Sequence, residues 1–131
     1  METATQPEHQ ARVAGVRARL ADLVEADPSP AELALVLRLL RSFVSKAPDA
    51  VDLLVRLLHD GDPGPVRDHA HGLKGSAANI GAADLAAFCA ALEDQARAGV
   101  VADPGPAADR LRAEADGALL AVRAVTAEYE V

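Results

Sequence analysis

With 131 residues, half of them apolar and a quarter charged, the chain has enough material for one small domain with a buried core and no room for a second. The apolar share is Ala, Leu and Val with only 2% aromatics, and together with Arg and Glu these are mostly helix formers, which argues against an all-β fold. A net charge of −7 removes the basic footprint that binding to a nucleic-acid backbone requires, so the expected partners are proteins or small anions.

Cys89 is the single cysteine and allows no internal disulfide. The opening METATQPEHQ has neither the basic stretch nor the apolar run of a signal peptide, and a reduced, cytoplasmic setting is expected. Apolar clusters such as Leu33 to Leu37 and Ala86 to Leu92 break off well short of the roughly 20 residues that cross a bilayer, so no membrane span is expected.

Pro- and Gly-rich punctuation at Asp27 to Pro30, Asp60 to Pro65, Gly81 and Gly99 to Pro106 divides the chain into segments with helical apolar spacing. The first, about residues 8 to 26, carries Val13, Val16, Leu20 and Leu23 on one stripe, with Glu8, Arg12, Arg17 and Arg19 on the polar sides. The second, about 30 to 59, has the seam Leu33, Leu37, Leu40, Val44, Ala47, Val51, Leu54, Leu58, in steps of four and three. Pro48 lies inside it, and the unbroken phase favours one kinked helix or two collinear ones over a clean break. A third helix starts after an N-cap at Asp62, with Pro63 and Pro65 in its first turn, and runs to about Asn79 along Val66, Ala70, Leu73, Ala77 and Ile80. The fourth, about Ala82 to Ala98, buries Leu85, Phe88, Cys89, Leu92 and Ala96 and ends before Gly99. The last, about Pro106 to Glu130, carries Leu111, Ala115, Ala118, Val122, Val125 and Tyr129. The expectation is an all-α, antiparallel four-helix bundle over 29–131, preceded by an amphipathic helix and lead-in over 1–28.

The stretch from Asp68 to Ala82 carries the chemistry. At about 100° per residue, His69 lies roughly 60° from the apolar seam, at the core's edge, while His71 lies roughly 140° away and points to solvent. Lys74, Gly75 and Ala78, at i+3, i+4 and i+7, share its face. Glycine inside a helix is worse than alanine by about 1 kcal/mol, and this helix places Gly72 and Gly75 on exposed positions beside a histidine. A frayed helix end would explain them structurally. The functional reading is that bulk there would block a partner that must come close to His71. Lysine occurs only at 46 and 74 in an Arg-rich chain, and a compact ammonium one turn from an imidazole suits a phosphoryl oxygen. A neutral imidazole attacks phosphorus through a ring nitrogen, and phosphoryl transfer asks mainly for alignment and charge neutralisation.

The run Ala70-His71-Gly72-Leu73-Lys74-Gly75-Ser76, followed by Asn79-Ile80-Gly81-Ala82, Leu85, Cys89 and Leu92-Glu93, resembles the histidine-containing phosphotransfer (Hpt) domain of two-component phosphorelays. The resemblance implies a four-helix bundle that acts as a phosphocarrier without kinase activity of its own. It implies that His71 exchanges a phosphoryl group with an aspartate of a response-regulator receiver domain, which supplies Mg²⁺, with a sensor or hybrid histidine kinase upstream. It further implies that Lys74 stabilises the phosphate and that Gly72, Gly75 and Ala78, with Arg67 and Asp68, form the docking surface. Gly72 departs from the pattern, which usually has a larger residue there. Met1 and the short chain fit a stand-alone carrier, and a bundle that binds a receiver or kinase without accepting phosphate is the alternative.

Other chemistries fit less well. His69 and His71 diverge by about 160° on a helix, and no other pair has useful ligand spacing, so no metal or cofactor of the chain's own is expected. Lys74 precedes Gly75 and no strand leads in, which excludes a phosphate-binding loop. Cys89 reads as a core residue, Glu93 and Asp94 as a solvated face, and His9 and His59 as surface residues.

Overall fold

The computed structural model describes residues 6–130; the opening METAT, expected as lead-in to the first helix, and Val131 lie outside the described residues. The helices are α1 (Gln6–Leu23), α2 (Pro30–Asp60), α3 (Pro63–Ile80), α4 (Ala83–Arg97) and α5 (Pro104–Tyr129), with no strand among the described residues. The all-α expectation holds.

Local chemistry sets the boundaries. Ser29 caps α2 in a reciprocal capping box: Glu32 N–H donates to Ser29 Oγ at 3.1 Å and Ser29 N–H to Glu32 Oε1 at 3.0 Å, with Pro30 opening the helix. The helix runs through Pro48 without a break, so both halves face the same core. Asp62 accepts from the Gly64 N–H and caps α3 as expected. Gly61, Gly81 and Gly99, at φ of 78°, 84° and 81°, supply the left-handed residues that end α2, α3 and α4.

The helices close a ring in which α2 packs on α3 and α5, and α4 on the same two, while α1 lies mainly along α5. Leu40, Leu54, Leu58, Ile80, Leu85, Leu111 and Val122 fill the centre, and α1 adds Val16 and Leu20. Short turns force neighbours antiparallel, which brings the α3–α4 turn under α1. There Gly81 and Gly15 touch backbone to backbone: a Cβ on Gly81 would lie 2.6 Å from the Gly15 carbonyl oxygen and 2.8 Å from Arg19 Cβ. Arg19 then donates to the Asn79 carbonyl at 3.1 Å, satisfying an acceptor in the last turn of α3.

Several sequence expectations need correction. Helix α1 ends at Leu23, short of residue 26, and Leu23 itself is exposed instead of completing the stripe. In the first half of α2 the buried row is Val36, Leu40, Phe43, Ala47, whereas Leu33 is exposed and Leu37 and Val44 are only half-buried. The buried row is turned relative to the expected one: Val36 and Leu40 are fully buried at the same level of α2, so the helix presents that side to the core and Leu33, Leu37 and Val44 lie off it. In α4, Phe88 is only half-buried, and Glu93, expected on a solvated face, is wholly buried in the structure.

Candidate functional site

Helix α3 buries Val66, Ala70, Leu73, Ala77 and Ile80, so the opposite side of the same helix faces solvent. His71, Gly72, Gly75 and Ala78 are all exposed there, in the arrangement expected from the helical wheel. A Cβ on either Gly72 or Gly75 would meet no described atom within 4 Å, so neither glycine is required by packing. Both still carry the helix-propensity cost of glycine. His69 is the exception: it is exposed, not at the core's edge, and one ring nitrogen sits 3.0 Å from the Pro65 carbonyl oxygen one turn back. That local bond turns its ring along its own helix and away from the core.

Glu93 of α4 organises the site. Its side chain is 1% exposed, yet it meets three donors. His71 Nδ1 is 2.9 Å from Oε2, Lys74 Nζ is 2.6 Å from Oε1, and the Arg97 guanidinium reaches the same Oε2 as the histidine. A buried carboxylate is tolerable only when paired and hydrogen-bonded, and this one is. The contact with Lys74 does most to hold its carboxyl down at about 2; burial pulls the other way, and the bonds from His71 and Arg97 add to the lowering.

An ionised carboxylate only accepts, so the proton of the neutral ring belongs on Nδ1 and the lone pair of Nε2 is left free. His71 is 64% exposed, which gives that lone pair access to solvent and to a partner. Among the described residues it is the only histidine whose ring nitrogen meets a carboxylate. Lys74, one turn on and one-third exposed, keeps its ammonium beside the ring. Arg67 and Asp68 pair with each other at 3.1 Å and line an open cleft with His71, Glu93 and Arg97.

The structure thus gathers His71, Lys74, Gly72, Gly75, Ala78, Arg67 and Asp68 on one face, and adds two residues that the sequence reading did not place there. A signal for Glu93 was present: it falls four residues after Cys89 and three before Ala96, inside the buried stripe Leu85, Cys89, Leu92, Ala96. A charge on a core stripe calls for partners, and the Lys74 and Arg97 cations are those partners. Arg97 follows one turn after Glu93 and carried no signal of its own.

Other candidates stay apart from this face. Cys89 is fully buried, and desolvation pushes its thiol up to about 12, far from a nucleophile's range. Asp94 is exposed next to the buried Glu93, and His59 Nδ1 donates to the Val55 carbonyl of its own helix. No group of three or more His, Cys, Asp or Glu side chains among the described residues is placed to hold a metal ion, and no described helix is long and apolar enough to cross a membrane.

Compared with known proteins, residues 38–121 match the family described as Hpt domain. The match covers α3 and α4 whole, begins inside α2 and leaves α1 outside. No curated protein and no solved structure matches the chain.

Proposed function

The chain belongs to the Hpt domain family, and on that premise we propose that it is a phosphocarrier in which His71 exchanges a phosphoryl group with the aspartate of a response-regulator receiver domain. Hpt domains act in two-component signalling as carriers rather than as enzymes. The observation that carries the reading is the exposed His71 with Nδ1 held on a buried carboxylate, beside Lys74 and on a strip of α3 kept bare by Gly72 and Gly75.

The chemistry follows from that geometry. Nε2 of His71 attacks phosphorus of the receiver's aspartyl phosphate; the Nε2–P bond forms as the P–O bond breaks, and the aspartate carboxylate leaves with the electron pair. Positive charge develops on the ring during attack, and Glu93 stabilises it through Nδ1–H, as a buried carboxylate does for an imidazolium. In the reverse direction the retained Nδ1 proton makes the ring a neutral leaving group. Lys74 neutralises charge on the phosphoryl oxygens as a point charge. Gly75 and Ala78 leave room for the receiver, and Arg67 and Asp68 border the approach. Mg²⁺ belongs to the receiver in this account, and the chain brings no cofactor of its own. A sensor or hybrid histidine kinase stands upstream of the relay, and the setting is the cytoplasm.

The test is incubation of the full chain with a phosphorylated receiver domain and Mg²⁺, followed by intact-mass measurement, with His71→Gln alongside. The expected result is a gain of one acid-labile phosphoryl group that His71→Gln abolishes while keeping its helicity. Detectable binding to receivers without any mass gain would replace the carrier with a non-transferring partner protein.

A further inference from the structure

Leu35, in the second turn of α2, is 50% exposed, and its neighbours on the helix are arranged about it in pairs. At about 100° per residue, Ala31 and Leu39 lie roughly 40° to either side of it and Glu32 and Arg38 roughly 60°. All five share a face turned roughly 110° from the middle of the buried row Val36, Leu40 and Phe43. The pattern is balanced along the axis as well: Glu32 and Arg38 stand one turn before and one turn after Leu35, as do Ala31 and Leu39. Glu32 is not the only acid at its end. Its Oε2 accepts from the Glu25 N–H at 3.3 Å, and Glu25 and Asp27 are exposed in the turn that leads into the helix. Among the described residues, neither Arg38 nor any of these three acids has an ion-pair partner. One end of the face is acidic and the other basic, both unpaired, with an exposed leucine midway.

We propose that this face joins two copies of the chain, α2 against α2 and antiparallel, with the two-fold axis at Leu35. A two-fold interface needs a surface complementary to itself, and reversal about Leu35 supplies one. Leu35 meets Leu35 of the second copy, and Ala31 meets Leu39, a small side chain against a large one. Arg38 meets Glu32 and the acidic turn behind it, twice over. A parallel pairing would set Arg38 on Arg38 and Glu32 on Glu32, so charge selects the antiparallel one, and a partner of uniform charge would satisfy only one end of the face. Leu39 and Ser42 line a groove with Asn79 and Ile80, two turns of α3 beyond His71, so both copies keep the histidine open. The pairing does not depend on the phosphocarrier reading; joined to it, it gives a carrier with two histidines.

Sedimentation equilibrium of the full chain from micromolar to millimolar concentration reads the association, and a dimer that dissociates in the micromolar range is expected for one helix pair. Leu35→Lys should abolish it, and Arg38→Glu should weaken it about tenfold or more by turning two attractions into repulsions. Both residues are exposed, so circular dichroism should show unchanged helicity in each variant. Leu120→Lys, on the exposed face of α5, should leave the dimer as it is. Register is read by Leu35→Cys: the axis brings the two thiols together, so mild oxidation should link two copies through residue 35. Leu120→Cys should give no linked dimer, and the native Cys89 is buried and silent. A wild type that stays monomeric at millimolar concentration would overturn the proposal and leave the face to a different protein. A dimer indifferent to Leu35→Lys and Arg38→Glu, or equal linking through residues 35 and 120, would overturn it by placing the contact elsewhere.

Discussion

Replacing Gly75 by alanine should make the protein more stable, and that expectation separates a functional glycine from a structural one. The residue sits inside α3 on an exposed face, at a helical φ, and an added Cβ meets no described atom within 4 Å. No clash offsets the gain in helix propensity, so Gly75→Ala should stabilise by about 1 kcal/mol. Gly72 has the same surroundings, and the double substitution should approach about 2 kcal/mol. For a domain of this size each kcal/mol raises the Tm by about 4 °C, and the urea midpoint by about 0.5 M. Far-UV circular dichroism through thermal and urea unfolding reads both. A side chain that keeps the propensity gain but adds bulk completes the test: Gly75→Gln should match alanine in stability yet slow phosphoryl transfer from a receiver by about tenfold or more, because it displaces the partner from in-line geometry. Loss of stability in Gly75→Ala would refute the claim that this face is free of packing. Full transfer activity in Gly75→Gln would refute the claim that the glycine is there for approach.

The glycine at the α3–α4 turn should behave in the opposite way. Gly81→Ala meets both a left-handed φ and the Gly15 backbone and should destabilise by about 3 kcal/mol or more, whereas Gly61→Ala, with a similar φ and open space, should cost about 1 to 2 kcal/mol; equal losses in urea melts would deny the α1 crossing any part in the effect. Glu93 predicts a pH dependence. Its folded carboxyl is depressed from 4.5 to about 2, so its contribution to stability is present above the unfolded value and is lost as pH falls toward the folded one. The stability gap between wild type and Glu93→Gln should therefore hold at neutral pH and close across that window, and a gap that stays constant down to the lower value would argue against the ion cluster. Lys74→Ala should retain helicity and slow transfer by about tenfold through loss of one charged contact to the phosphoryl group, so an unchanged single-turnover rate would remove its electrostatic role. Cys89 should resist thiol reagents in the native protein and react only on unfolding, as urea-dependent labelling would show; rapid native labelling would contradict its burial.

Much of the fold could be read from the chain because helical spacing and punctuation agree. Asp62, Gly81 and Gly99 mark boundaries by chemistry that depends on a few neighbouring residues, and α3 buries the five residues its seam named. The exposed face of α3 was legible for the same reason: burying Leu73 and Ala77 turns His71 and Gly75 outward whatever the partners of the helix are. What escaped the sequence depended on how the elements face one another. Leu33 continues a good apolar row, yet the core side of α2 runs through Val36, Leu40 and Phe43, and a helix with two apolar rows leaves the choice between them to its neighbours. Glu93 was assigned to solvent by its charge, although its position on the α4 stripe placed it in the core. Its burial makes sense only with Lys74 and Arg97 brought to it, one across the helix interface and one along its own helix.

The most direct test of the account is which nitrogen of His71 carries the proton and which the phosphoryl group. Long-range ¹H–¹⁵N correlation on the full chain, before and after loading by a phosphorylated receiver, reads both. The account predicts a proton on Nδ1 held by Glu93 in the bare protein and phosphorus bonded to Nε2 after loading, with Nδ1–H still on Glu93. A phosphoryl group on Nδ1, or on any residue other than His71, would contradict it.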